Sequence, residues 1–160
     1  MNAFETTLEK HTNGMHYISI PASIGDKFKT QNVKRVRCIV NETVNIQAAI
    51  RQDKDVGYCV YIGKRYLSKL KVRHKAALNI QIQADDSEYG VDMPETLEAV
   101  LATDEEALLL FEQLTYGKKR SAIFMITRVK SRDAQIRRAL KIVGKWKLGE
   151  FNPQQWLRKD

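Results

Sequence analysis

Residues 85–143 decide the fold class, and they read DDSEYGVDMPETLEAVLATDEEALLLFEQLTYGKKRSAIFMITRVKSRDAQIRRALKIV. Ahead of this stretch, apolar residues recur with a period of two, which is typical of half-buried strands. Within it, Ala122, Met125, Ile126 and Val129 recur at i, i+3, i+4 and i+7, which is the spacing of one helix face. The stretch therefore joins a β-rich front half to a helical back half.

The front half has short strand-like segments with little helix between them. Six have the alternating pattern, at residues 4–8, 16–20, 36–40, 44–50, 58–62 and 78–84, and residues 89–92 are a candidate seventh. Residues 24–26 are predicted as a turn and residues 66–72 as one or two helical turns. Short connections favour antiparallel pairing, because a parallel crossover needs a dozen or more residues. A small sheet avoids open edges most simply by closing, so we predict a small closed antiparallel β-barrel over residues 1–92.

The back half, residues 93–160, carries helix start and stop signals. Pro94 suits the first residue of a helix. Thr103 and Glu106 have the form of a capping box, Gly117 is a stop signal, and Ser131 can cap a last helix that runs to about Lys147. The expected fold class is therefore α+β, with a bundle of three or four helices packed on or beside the barrel.

Charge is segregated along the chain. The net charge is +8 and the sequence pI about 9.5. Residues 76–117 hold ten acids and no Lys or Arg, residues 118–147 hold eleven Lys/Arg and one acid, and residues 64–75 hold six Lys/Arg and no acid. A basic excess favours polyanionic partners such as nucleic acid. The alternative is that acidic and basic segments pack side by side and neutralise each other.

The last predicted helix carries a basic stripe. At ~100° per residue, Arg137, Arg138, Lys141 and Lys145 fall within one arc of about 100°. Such a line of cations can track a phosphate backbone and release its counterions. Lys118, Lys119 and Arg120 enter the preceding helix, where an N-terminus can hold an anion, although this segment also reads as a plain helix connection. These seven residues are the predicted polyanion-binding candidates.

Several other site classes have no signature here. The chain has no phosphate-binding glycine loop, zinc finger or RNA-recognition motif. His11, His16 and His74 share no ligand spacing with each other or with the two cysteines, so neither a metal nor a cofactor is predicted. No run is apolar enough for a membrane span and no signal peptide is visible, and two separated cysteines read as thiols of a cytoplasmic protein.

Two further hypotheses stay open. In the first, Tyr58, Tyr61 and Tyr66 line the barrel mouth and bind a small ligand or a protein partner. In the second, the protein is an enzyme that uses Asp85, Asp86 or His16. The sequence favours a binding module over an enzyme, because no stretch contains a reaction-bearing constellation.

The chain also resembles a known family. The matching residues are Asp86-Ser87-Glu88-Tyr89-Gly90, Met93-Pro94-Glu95, Val100-Leu101, Asp104-Glu105, Phe111, Leu114-Thr115, Gly117-Lys118, Arg120-Ser121, Ile123, Val129-Lys130, Arg138-Ala139-Leu140 and Ile142, with looser agreement at Phe4, Leu8, Gly14, Tyr17-Ile18, Ile20-Pro21 and Gly25. On these residues the chain resembles the bacteriocin-protection, YdeI/OmpD-associated family, in the form where a β-barrel domain of unknown function precedes the helical segment.

The resemblance implies a small closed barrel followed by helices, in a soluble bacterial protein. It carries over no catalytic residue, since the family name records phenotypes rather than a chemistry. The chain departs from the family pattern at residues 75–77, Lys-Ala-Ala where Gly-Asp is common, and at Tyr116, where Pro is common.

Overall fold

The computed structural model describes residues 1–159 and divides into two compact units, residues 1–86 and residues 87–160. Residues 1–86 carry fourteen Lys/Arg and eight Asp/Glu, whereas residues 87–160 carry thirteen and eleven. Most of the basic excess therefore belongs to the first unit. Among the described residues, no helix combines the length and the apolar character that crossing a membrane requires.

The first unit contains eight strands and two helices within the described residues. In chain order they are β1 (Asn2–Thr7), β2 (Glu9–Lys10), β3 (His16–Ser19), α1 (Ala22–Thr30), β4 (Arg35–Val40), β5 (Val44–Ala49), β6 (Arg51–Asp53), β7 (Gly57–Ile62), α2 (Lys64–Leu70) and β8 (Ala77–Ala84). They form two four-stranded antiparallel sheets, ordered β1-β8-β4-β5 and β2-β3-β7-β6.

The predicted closed barrel is wrong, because neither sheet closes. The chain passes from the first sheet to the second at Leu8, between β1 and β2, and at Ile50, between β5 and β6. At these corners the backbone N–H groups leave the ladders: that of Leu8 donates to Ala76 and that of Ile50 donates to Lys34, at 3.0 and 3.1 Å. The two sheets share one core but keep open edges.

Every second side chain along the central strands points into this core. In β4, Val36, Cys38 and Val40 are buried, and the residues between them are partly exposed. Leu78, Ile80 and Ile82 of β8 are buried in the same way. The period of two therefore predicted the strands correctly, although it could not show how the sheet edges end.

Helix α1 replaces the predicted turn at residues 24–26. Phe28 of this helix is buried in the core. Gly25 lies so close to the ring of Tyr58 that a β-carbon at this position would overlap it. Helix α2 agrees with the helical turns predicted near residues 66–72. The candidate seventh strand, residues 89–92, is irregular.

The second unit contains four α-helices within the described residues: α3 (Glu95–Thr103), α4 (Glu105–Gln113), α5 (Tyr116–Thr127) and α6 (Arg132–Lys147), followed by a short 3-10 helix at Pro153–Gln155. Their apolar faces meet in a core that includes Leu97, Phe111, Ile123, Trp146 and Trp156. The sequence predicted three or four helices, and the bundle has four.

The caps of these helices differ partly from the prediction. Asp104, not Thr103, caps α4, and its carboxylate accepts from the backbone N–H of Ala107 at 3.0 Å. The Thr103 hydroxyl instead donates back to carbonyls of α3. Gly117 lies inside α5, which Thr115 caps, and Ser131 caps α6 as predicted.

Candidate functional site

The predicted basic stripe on α6 is partly used for structure. Arg138 is half-buried and donates to the Met125 carbonyl oxygen at 2.7 Å, close to the carboxyl end of α5. Lys145 is also half-buried and has a partner. Lys141 is exposed and donates to the Leu157 carbonyl at 3.4 Å. Arg137 alone of the four is exposed without an ion pair or side-chain hydrogen bond to any described residue. The stripe is therefore not a continuous free surface.

Acidic residues of the preceding helices neutralise other cations of this helix. Lys147 pairs with Asp104 at 2.6 Å and with Glu106 at 3.6 Å, and Arg132 pairs with Glu95 at 3.5 Å. The hydrogen bond from Lys147, followed by the one from the Ala107 backbone, lowers the pKa of Asp104. Charge compensation between the acidic and basic segments, which the sequence left open, therefore occurs at both ends of α6.

The three cations that enter α5 do not form one anion site. Lys119 is buried, and its ammonium lies 5.0–5.4 Å from the ring centroids of Tyr89, Phe111 and Tyr116. Arg120 donates to the Tyr89 carbonyl at 3.1 Å. Lys118 is half-buried. Two of the three side chains thus hold the segment before α3 against α5.

A basic surface with exposed cations lies in the first unit, on residues 64–75, which we call the basic segment. It comprises α2 and the following loop, and it contains no acid. Lys64, Lys69, Lys71 and Arg73 are all exposed, and none has a side-chain hydrogen bond or ion pair to a described residue. The charge count of this segment is visible in the sequence, but its exposure follows only from the fold.

The remaining residues of the basic segment fix its position. Leu70 is buried in the core of the first unit, and Lys71 ends α2 with a left-handed backbone, at φ 52°. Lys75 pairs with Glu9, and this hydrogen bond is the main cause of the lowered pKa of Glu9. The guanidinium of Arg65 lies 4.9 Å from the ring centroid of Tyr66. One side of the segment is thus anchored while its four free cations face solvent.

The three candidate tyrosines do not share one mouth. Tyr58 and Tyr66 pack against the core of the first unit, whereas Tyr61 lies three residues from Tyr58 along β7 and so on the other face of the strand. The Tyr58 hydroxyl donates to Asp26 of α1 at 2.8 Å. The barrel-mouth hypothesis therefore loses its geometric basis together with the barrel.

Tyr61 belongs to a cluster that the sequence did not reveal. Its ring meets those of Tyr17 and His11 edge to face, with centroids 6.4 and 6.2 Å apart. His11 Nε2 lies 3.6 Å from Asp53 Oδ2, and with Asp55 these residues place three potential ligand atoms within 4.8 Å of one another. His11, Asp53 and Asp55 could hold a metal ion. His11 lies between β2 and β3, whereas Asp53 and Asp55 lie where β6 leads into β7, so sequence spacing gave no signal for the three together.

The three enzyme candidates, Asp85, Asp86 and His16, have different environments. The side chain of Asp85, at the end of the first sheet, is inaccessible to solvent. Its carboxylate lies 3.9 Å from the guanidinium of Arg37 and 3.4 Å from the side-chain amide of Gln47. Asp86 is exposed. His16 lies on β3 in the second sheet, edge to face with His74. His16 therefore lies in a different sheet from β8, the strand that the two aspartates follow.

Comparison with known families assigns both units. The family model for bacteriocin-protection, YdeI or OmpD-associated proteins matches residues 90–149, and the model for a domain of unknown function, DUF1905, matches residues 4–82. Comparisons with curated proteins and with solved structures give no significant match. The two family matches confirm the resemblance drawn from the sequence. Residues 90–149 thus match the model of the bacteriocin-protection, YdeI or OmpD-associated family, and the residues before them match the model of a domain of unknown function.

Proposed function

We propose that this protein is a non-enzymatic binding module that contacts polyanions, nucleic acid first among them, through the basic segment of its first unit. The observation that carries the proposal is the group of four exposed cations, Lys64, Lys69, Lys71 and Arg73, which have no partner among the described residues. Exposed Lys and Arg bind phosphates as they displace condensed counterions.

The proposal moves the contact surface away from α6, which the sequence favoured. On α6, neutralising or capping contacts already engage Arg132, Arg138 and Lys147. A cation that holds a carboxylate or a carbonyl has fewer free N–H donors, and beside a carboxylate less uncompensated charge, for a phosphate. Arg137 and Lys141 therefore remain as auxiliary contacts at most.

A cytoplasmic location belongs to the same proposal. Cys38 and Cys59 are both buried free thiols, and unpaired cysteines are usual where the compartment is reducing. Nucleic acid is also the most abundant polyanion that such a protein would meet there.

The test compares two variants that lose the same charge. In the first, Gln replaces Lys64, Lys69, Lys71 and Arg73. In the second, Gln replaces four exposed cations of the second unit, Arg128, Lys130, Arg137 and Lys141. Both keep the side chains polar, and circular dichroism confirms that each is folded. Fluorescence anisotropy then measures binding to labelled single-stranded DNA, duplex DNA and RNA.

We expect the first variant to bind about fourfold to several hundredfold more weakly than the parent protein, since four contacts of about 0.2–1 kcal/mol each are lost. The second variant should stay within about threefold of the parent. Equal losses in both would mean that only net charge matters. A larger loss in the second would move the contact surface to the second unit. Either result, or no binding by the parent protein at low salt, refutes the proposal.

A further inference from the structure

The second unit has an apolar pocket with acidic side chains at its rim. Its cavity volume is about 360 Å³, and Tyr89, Met93, Leu101, Ala102, Leu108 and Phe111 line it together with Glu88 and Glu98. We call it the acidic-rimmed pocket. A cavity of this size accepts a large apolar side chain, and both glutamates are exposed.

Internal contacts hold the aromatic floor of the pocket in place. The rings of Tyr89 and Phe111 meet edge to face with centroids 5.4 Å apart, and Phe111 also packs on Trp146. The ammonium of Lys119 lies 5.0 Å from the centroid of Tyr89 and 5.4 Å from that of Phe111. A floor fixed in this way costs little ordering entropy when a ligand binds.

The position of Lys119 determines which part of a ligand the floor accepts. Attraction between a cation and a ring is worth about 0.5–2 kcal/mol, and it draws on the negative ring face. Those rings already hold the Lys119 ammonium, which is only 9% exposed. A second cation over the same rings would be repelled by the first, so the pocket interior favours an apolar group and leaves any positive charge for the rim.

The rim carries negative charge that the protein does not neutralise. Glu98, Glu105 and Glu112 are exposed and have no ion pair among the described residues, in contrast to the paired Glu95 and Asp104. Glu105 and Glu112 lie three and four residues from Leu108 on α4, so they neighbour it on the helix surface. The rim of this pocket is therefore acidic, although the chain as a whole has a net charge of +8.

We propose that the acidic-rimmed pocket binds a basic segment of a protein partner, which inserts one large apolar side chain into the cavity and places Lys or Arg on Glu88, Glu98 and Glu112. The argument is charge complementarity at the rim together with an apolar interior. It is independent of the proposed polyanion contact, which uses the first unit.

The test uses three short labelled peptides and the full-length protein. The first peptide combines Lys with Leu and one Trp, the second replaces each Lys with Glu, and the third replaces Leu and Trp with Ser. Anisotropy should show that the first binds at least about tenfold tighter than the third, because burying one large apolar side chain is worth about 1.5–3 kcal/mol. It should also bind at least about tenfold tighter than the second, because the acidic rim repels the Glu side chains.

Three variants then locate the site. Ala102→Trp fills the cavity from an exposed helix position. It should lower the affinity for the first peptide at least about tenfold. Glu98→Lys reverses a rim charge and should weaken it about three- to tenfold. Leu109→Ser is the matched control, because Leu109 is exposed beside Leu108 but does not line the pocket. It should leave the affinity within about twofold of the parent.

Equal binding of the basic and acidic peptides would overturn the proposal. So would an Ala102→Trp protein that folds and binds as the parent does. If Ala102→Trp does not fold, the peptide comparison and Glu98→Lys decide the question. If the parent protein self-associates and Glu98→Lys abolishes this, a second copy of the chain binds the pocket. That result would also refute the proposal.

Discussion

Substitution of Gly25 by alanine tests the packing of the first unit, because its expected sign is opposite to the usual one. Alanine normally stabilises a helix interior by about 1 kcal/mol relative to glycine. At Gly25, however, an added methyl group would overlap the ring of Tyr58. The helix or the ring must therefore move. The hydrogen bond that the Tyr58 hydroxyl donates to Asp26, 2.8 Å long, is then lost.

The magnitude follows from these contacts. Overpacking typically costs about 1–3 kcal/mol, and loss of a hydrogen bond costs about 0.5–1.5 kcal/mol. The helix preference of alanine offsets about 1 kcal/mol. We therefore expect Gly25→Ala to destabilise the first unit by about 2 kcal/mol.

Gly144→Ala is the matched control. Gly144 also lies within a helix, α6, but no atom lies within 4 Å of the position its added methyl group would take. This change should stabilise the second unit by up to about 1 kcal/mol.

Urea unfolding followed by far-ultraviolet circular dichroism measures both changes. Trp146 and Trp156 both lie in the second unit, so tryptophan fluorescence reports that unit separately. The decisive comparison is Gly25→Ala in a Tyr58→Ala background, where the obstructing ring is absent and the substitution should cost nothing. A Gly25→Ala protein as stable as the parent, or an equal cost in both backgrounds, would refute the packing of α1 on β7.

Two further predictions concern titration and thiol chemistry. Because the pKa of Asp104 is lowered in the folded state, its stabilising contribution is complete above the unfolded carboxyl pKa of about 3.9 and is lost as the pH falls through the lowered folded value. Asp104→Asn keeps a good N-cap but removes the charge, so urea titrations followed by tryptophan fluorescence should show a weaker loss of stability below about pH 4; an unchanged pH profile would contradict this role. Burial raises the pKa of the Cys38 thiol to about 12 and also raises that of Cys59. Both thiols should therefore resist a disulfide reagent at neutral pH and react once urea unfolds the first unit, whereas rapid reaction of the native protein would contradict their burial.

Local patterns predicted the strands and helices better than their assembly. Val36, Cys38 and Val40 alternate inward as their spacing indicated. Closure into a barrel was wrong because it depends on whether hydrogen bonds continue past Leu8 and Ile50, and no local pattern records where those N–H groups donate. Helix α1 was missed because Gly25 and Asp26 resemble a turn, whereas burial of Phe28 favours the helix.

The candidate sites show a similar limit. Helical geometry placed Arg137, Arg138 and Lys141 on one arc correctly, but it could not show that Arg138 holds a carbonyl of α5. In the basic segment, composition predicted the charge and the fold determines its exposure. His11 and Asp53 come together although β3 and β7 separate β2 from β6 in the second sheet, and no spacing in the sequence indicates this.

The salt dependence of duplex DNA binding tests the central claim most directly. If Lys64, Lys69, Lys71 and Arg73 each neutralise one phosphate, the logarithm of the binding constant should fall with the logarithm of salt concentration at a slope of about −3.6. Affinity should then drop about a hundredfold between about 50 and 200 mM salt, and the slope should flatten when Gln replaces the four cations. A slope that the replacement leaves unchanged, or no binding at about 50 mM salt, would contradict the account.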